Sequence, residues 1–317
     1  MMRTIPLVDL EQFTKGNAAE KEAFVKKLGE AYEDIGFVAV ENHGIPESLI
    51  DNFYKNVKDF FSMDTDTKKK YEIVELAGQR GYTSFGREKA KQSEVADLKE
   101  FWQIGQYVEG DDPVKDIYPE NMEIEEIQEF NTVGKLLFKS FETAGSHLLS
   151  AIALYLGLDE DYFNKHIYNG NSILRAIHYP PITSEPASAI RAEEHEDINL
   201  ITLLVGASAD GLQLLNRNNE WKDISAGPGQ IVVNVGDMLQ RLTNNKMRST
   251  THRVVNPPKE KWHLERYSIP FFLHPRSEMR LDCLENCIDE QHPLIYDPIS
   301  AGEYLTERLI EIGLLKK

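Results

Sequence analysis

The sequence has 317 residues, with 35 Lys and Arg against 52 Asp and Glu, a formal net charge of −17; 41% of residues are hydrophobic and 27% charged. Such an acidic chain lacks the basic face that displaces counterions from duplex or RNA, so nucleic acid is excluded as a partner. The start, Met1-Met2-Arg3-Thr4-Ile5-Pro6, has no apolar signal-peptide core, and no apolar run reaches the roughly 18–20 residues of a membrane span, so a cytoplasmic protein without membrane partners is expected.

The spacing predicts a helix over residues 19–35, where Phe24, Leu28, Ala31 and Ile35 recur at helical steps and Gly36 takes the C-cap position. A short strand follows at 37–40. Pro46 then opens a second helix with Leu49, Phe53, Val57 and Phe60 on one face. Between Ile127 and Tyr155 lies the longest periodic stretch. Leu136, Phe138, Leu149 and Ile152 flank its stripe and widen the apolar face, which predicts a long helix laid along a sheet rather than a coiled coil.

From Ile173 onward the texture changes to short β-rich runs at 173–179, 198–205, 212–215, 231–235, 250–255 and 266–272, separated by turn residues such as Asp210-Gly211 and Gly227-Pro228-Gly229. Many short strands at this spacing predict a sandwich or jelly-roll barrel. No helical pattern intervenes, which argues against a parallel doubly wound sheet, and the glycine-rich phosphate loops of nucleotide enzymes are absent. The two cysteines, Cys283 and Cys287, are too few for a disulfide framework or a four-ligand zinc site.

Chemistry-bearing residues gather in the β-rich half. In an extended backbone, residues i and i+2 share a face, so His195 and Asp197 of Glu194-His195-Glu196-Asp197 can approach one ion together. His252, in a Thr/Val-rich run, is a third candidate. Two imidazoles and one carboxylate leave coordination positions open, which suits non-haem Fe(II); the same residues could instead be scattered and hydrogen-bonded. In Arg266-Tyr267-Ser268, alternation puts Arg266 and Ser268 on one face. A buried guanidinium needs a carboxylate, either from a ligand or from a protein side chain.

His195-x-Asp197, His252 and Arg266-x-Ser268, in this order, resemble the 2-oxoglutarate/Fe(II)-dependent dioxygenases of the isopenicillin N synthase-like family. The resemblance spans most of the chain. It takes in Ile5-Pro6-Leu7-Val8-Asp9-Leu10, Gly36-Phe37, Asn42-His43-Gly44-Ile45-Pro46, Gly81-Tyr82, His178-Tyr179-Pro180-Pro181 and Asn234-Val235-Gly236-Asp237. It implies a mainly β fold with flanking α, a double-stranded β-helix (jelly-roll) core backed by helices. One oxygenase domain would cover 1–317: a mainly helical part at 1–95, the core with its long backing helix at 96–280, and a C-terminal segment at 281–317.

The resemblance also implies Fe(II) held by His195, Asp197 and His252, and 2-oxoglutarate as cosubstrate, with Arg266 and Ser268 on its far carboxylate and Tyr179 adding a hydrogen bond. With O₂, such an enzyme hydroxylates or desaturates an unactivated C–H and releases succinate and CO₂. By the same analogy Tyr82, Phe101, Arg175, Phe271 and Phe272 line the substrate pocket, covered by the segment after Pro293. Ile177 stands where plant members usually carry Asn, so plant substrates do not carry over. Two alternatives stay open: an oxidase that uses O₂ without 2-oxoglutarate, and a non-catalytic metal or 2-oxoglutarate binder.

His43, His147 and His263 are read as structural. Glu193, Glu194 and Glu196 crowd the metal loop, and with Arg175 they suggest a small amino-acid-like or cationic substrate.

Overall fold

Strict alternation of side chains along the strands builds two faces with different chemistry. The computed structural model describes residues 5–76, 78–88, 96–186, 188–206 and 210–311. In chain order the first half contains β1 (Leu7–Asp9), α1 (Leu10–Thr14), α2 (Ala18–Asp34), β2 (Phe37–Glu41), α3 (Glu47–Phe61), α4 (Thr65–Lys69), β3 (Gly81–Thr83), β4 (Glu100–Gly105) and α5 (Gln128–Tyr155). After α6 (Asn164–Ile167) come β5 (Ile173–Tyr179), β6 (Ala192–His195), β7 (Ile201–Val205), β8 (Leu212–Leu215), β9 (Trp221–Asp223) and β10 (Ile231–Val235). The chain continues through α7 (Asp237–Leu242), β11 (His252–Val254), β12 (Arg266–Leu273) and α8 (Ala301–Glu311).

The strands form an eight-stranded sheet, β1-β2-β10-β7-β12-β5-β4-β3, and a four-stranded sheet, β6-β11-β8-β9. Every pairing among these strands is antiparallel except β1 with β2. This is the jelly roll expected from the spacing of short strands and turns.

One face of the large sheet carries Val38 and Val40, Ile231 and Val233, Leu203 and Ile269 into the main core with the helices. There Phe271 stacks on Phe141 of α5 at 5.2 Å and meets Phe138 edge-on at 5.0 Å. The opposite face turns Phe37, Ala39 and Val232 toward Leu214 of the small sheet in a second, smaller cluster. Between the sheets this packing gives way to a cavity lined by both polar and apolar side chains.

The helices fall close to their expected places. Asn17 closes a capping box with Glu20 at the start of α2, and Gly36 follows the helix at φ 71°, a backbone conformation that suits glycine. Two expected strands are shorter than read: 198–205 begins only at Ile201, and 250–255 contracts to His252–Val254. Short strands β1, β3, β4, β6 and β9 were not expected; β4 is buried throughout, and the charged pair Lys99-Glu100 at its start masks its apolar character. No helix among the described residues is long and apolar enough to cross a membrane.

Phe141 is fully buried, whereas Leu136 on the same helix is 54% exposed. Phe141→Ala is expected to lower stability by about 3–5 kcal/mol, and Leu136→Ala to change it by less than about 0.5 kcal/mol. Comparable melting temperatures for the two variants would contradict this division of the helix.

Candidate metal centre

His195 and His252 are direct cross-strand partners on β6 and β11 of the small sheet, with ring centroids 4.5 Å apart. Asp197 is not on that strand. It lies past the end of β6, in the crossover that carries the chain to β7 of the large sheet, so the expectation of two residues sharing one strand face is corrected. What fixes Asp197 is the start of α7: the amides of Asp237 and Gly236 donate to the carbonyls of Asp197 (2.7 Å) and Leu200 (2.9 Å). Gly236 is required by proximity, because a Cβ there would sit 2.2 Å from the Asn199 carbonyl oxygen.

Asp197 Oδ2 accepts hydrogen bonds from Thr202 Oγ1 (2.6 Å) and Asn234 Nδ2 (2.8 Å), both on the large sheet. Its Oδ1 is left 3.8 Å from His252 Nε2. Each imidazole is oriented through its other nitrogen: His195 Nδ1 donates to the Glu193 carbonyl at 2.7 Å and His252 Nδ1 to the Thr250 carbonyl at 3.1 Å. A backbone carbonyl can only accept, so each ring carries a proton on Nδ1 and turns its Nε2 away from that carbonyl. One ligand atom from each of the three residues lies within 4.8 Å of the others.

Desolvation, reinforced by neighbouring His252, holds the His195 pKa well below the ordinary histidine value. Burial opposes ionisation of Asp197, but the two imidazoles and the hydrogen bonds from Asn234 and Thr202 outweigh it and keep the carboxyl below its usual range. Two imidazoles and one carboxylate with a spare oxygen fit a divalent first-row cation, and the set suits non-haem Fe(II).

Arg266 and Ser268 lie on the cavity face of β12. Arg266 pairs across to Tyr179 on β5, and its guanidinium stands 4.9 Å from the Tyr179 ring centre. A second buried guanidinium, Arg191, is 5.9 Å from the same ring and donates to the Leu264 carbonyl. Burial and the charge of Arg266 push the Arg191 pKa down to about 10. This end of the site therefore concentrates positive charge in a desolvated place.

The cavity of about 1200 Å³ is lined by Tyr82, Phe101, Arg175 and Phe272 among the anticipated substrate residues, and α8 reaches it through Leu305 and Leu309. Phe271 is corrected: it points the other way, into the helix-side core. Strand parity separates it from Arg266, Ser268 and Phe272, so the sequence contained the signal.

Arg175 lies 4.2 Å over Phe101, donates from Nε to Gln103 Oε1 at 2.9 Å, and pairs with Glu88 at 3.2 Å. Lys99 bridges the same Glu88 (3.1 Å) and Asp97 (2.7 Å). Burial resists ionisation of Glu88, yet Arg175 and Lys99 prevail and bring it to about 2. Asp97 Oδ1 in turn accepts from the Glu193 amide at 3.0 Å, tying this chain of charges to β6.

Sequence reasoning missed Glu88, Asp97, Lys99 and Thr202. Only Asn234, inside a quoted motif, had a visible signal. The three histidines read as structural do not join the cluster: His43 accepts from the Ile45 amide in a turn, His147 is half-buried on α5, and His263 is exposed.

Comparison with known proteins agrees with this geometry. Residues 5–126 match the non-haem dioxygenase in morphine synthesis N-terminal family, and residues 170–275 the 2OG-Fe(II) oxygenase superfamily. A 2-oxoglutarate-Fe(II) type oxidoreductase, ppzC of Metarhizium majus, is 30% identical over 96% of this chain and 86% of its own. Among solved structures, a 2OG-Fe(II) oxygenase family protein from Caulobacter crescentus is 40% identical with a TM-score of 0.89, covering 98% of this chain and 100% of its own. A Neurospora crassa protein, crystallised at full length in complex with alpha-KG and thymine, is 30% identical with a TM-score of 0.85, covering 96% of each chain. The chain thus belongs to the 2-oxoglutarate/Fe(II)-dependent dioxygenases, in their isopenicillin N synthase-like group.

Proposed function

We propose that in this oxygenase His195, Asp197 and His252 are the iron ligands, that Arg266, Ser268 and Tyr179 hold the cosubstrate, and that Tyr82, Phe101, Arg175 and Phe272 face the substrate. The observation that carries this reading is the convergence of three preoriented ligand atoms and the Arg266–Ser268 face on one cavity. When bound, Fe(II), 2-oxoglutarate and O₂ supply the oxidation of an unactivated C–H, with release of succinate and CO₂.

The protein's own part is orientation and exclusion of water. Thr202 and Asn234 hold one oxygen of Asp197, so the other is presented to the metal. Arg266 gives a planar fork to the far carboxylate of 2-oxoglutarate, with the Ser268 hydroxyl as an additional donor. Arg191, at the same ring, strengthens the attraction of that anion. We read residues 1–317 as one oxygenase domain. A cytoplasmic setting, where thiols stay reduced, suits the free Cys283 and Cys287.

For the substrate we favour a small amino-acid-like or cationic molecule. The inner charges neutralise one another, so Arg175, paired with Glu88, is not a bare receptor for a carboxylate. What supports a cation is the rim, where Glu193, Glu194 and Glu196 line the cavity with at least partial exposure.

Anaerobic loading of His195→Ala with Fe(II) is expected to leave it without bound iron, as read by metal content after desalting; stoichiometric iron would remove His195 from the ligand set. Arg266→Ala is expected to raise the KM for 2-oxoglutarate about 10- to 100-fold, because charged hydrogen bonds are worth about 1.5–3 kcal/mol each. An unchanged KM would refute its assignment.

Replacing Glu193, Glu194 and Glu196 together by Gln is expected to raise the KM for a cationic substrate by about two- to ten-fold, and more at low salt. Insensitivity to salt and substitution alike would remove the rim from substrate selection.

A further inference from the structure

Beyond β12 the cavity wall continues with a histidine that the proposed reaction does not use. His274 follows Leu273 on the same face as Arg266, Ser268 and Phe272; it lines the cavity and is only 9% exposed. Its backbone is fixed by Ser172, whose hydroxyl accepts from the His274 amide at 3.2 Å and donates to its carbonyl at 3.3 Å. Among the described residues, none hydrogen-bonds its ring nitrogens.

Asn171 precedes β5 on the neighbouring strand, its amide donating to the Pro275 carbonyl at 3.2 Å, and it lines the same cavity. Its Oδ1 is buried and, among the described residues, has no hydrogen-bond partner. Buried polar atoms are rarely left unsatisfied, so Asn171 Oδ1, with the unengaged His274 ring lining the same cavity, points to a ligand that completes it.

We propose that His274 and Asn171 form a substrate subsite for an uncharged amide edge, an N–H and a C=O side by side as in a lactam, an imide or a carboxamide. The inference rests on the oxygenase reading above and adds to it the chemistry of one end of the substrate. A neutral imidazole offers one donor and one acceptor, and Asn171 Oδ1 offers an acceptor, a pattern that an amide edge matches. Burial lowers the His274 pKa to about 4, so the ring is neutral near pH 7 and supplies no charge for a carboxylate. Phe272, which pairs across to Ile173 and Thr202, provides an apolar floor beside the polar pair.

The test uses full-length protein loaded anaerobically with Fe(II) and 2-oxoglutarate, with calorimetric titration of glutarimide and 2-piperidone against their N-methylated derivatives. At least one parent compound is expected to bind, at least ten-fold more tightly than its N-methylated form. His274→Leu should erase that preference and His274→Gln, which keeps a donor and an acceptor, should retain it; circular dichroism establishes that both variants fold. Equal affinity for parent and methylated compounds, no binding by either parent, or an intact preference in His274→Leu overturns the subsite. Equilibrium dialysis of wild-type protein with 2-oxoglutarate separates the two readings: absence of Fe(II)-dependent cosubstrate binding defeats the oxygenase assignment, whereas binding of cosubstrate without the amide preference defeats only the subsite.

Discussion

Everything at the centre of this molecule depends on holding one carboxylate, Asp197, at the point where the chain leaves the small sheet for the large one. A residue in a crossover has no ladder to position it, so its geometry is imposed from outside. The first amides of α7 grip the crossover carbonyls, and Thr202 and Asn234 hold one carboxylate oxygen. The two imidazoles need less support, since strand pairing already sets them opposite one another and each is aligned through its Nδ1. Rigid strands thus set the two imidazoles, and a clamped loop the carboxylate.

The second organising constraint is the handling of buried charge. Arg266 and Arg191 concentrate positive charge around the Tyr179 ring, while Arg175, Glu88, Lys99 and Asp97 form a closed chain. A desolvated charge is expensive unless it is paired, and the closed chain meets that need internally, leaving its wall of the cavity near neutrality.

Much of this was legible in the amino-acid order, because periodicity is a local property. The long helix, the run of short strands and the parity of Arg266 and Ser268 all follow from steps of 3.6 and 2. The same parity, carried further along the strand, would have placed Phe271 in the core and Phe272 at the cavity. Less legible were features that arise only when distant segments meet. Glu88 and Lys99 look like solvent-facing charges in sequence; Glu88 becomes the partner of Arg175, and Lys99 the partner of Glu88, only when these distant segments meet in the fold. The break in 198–205 was hidden for a related reason: Ile198 and Leu200 continue the apolar texture of β7, while α7, some forty residues later, pulls that stretch into a crossover.

The position of Asp197 between sheets also bears on the lifetime of the folded chain. The two imidazoles beside it belong to the small sheet and its hydrogen-bond partners to the large one, so a cation held by all three residues would act as a cross-link between the two layers. A ligand that binds only the native state stabilises it by mass action. With iron held there, as proposed above, its supply would set the resistance of the chain to unfolding and proteolysis independently of turnover.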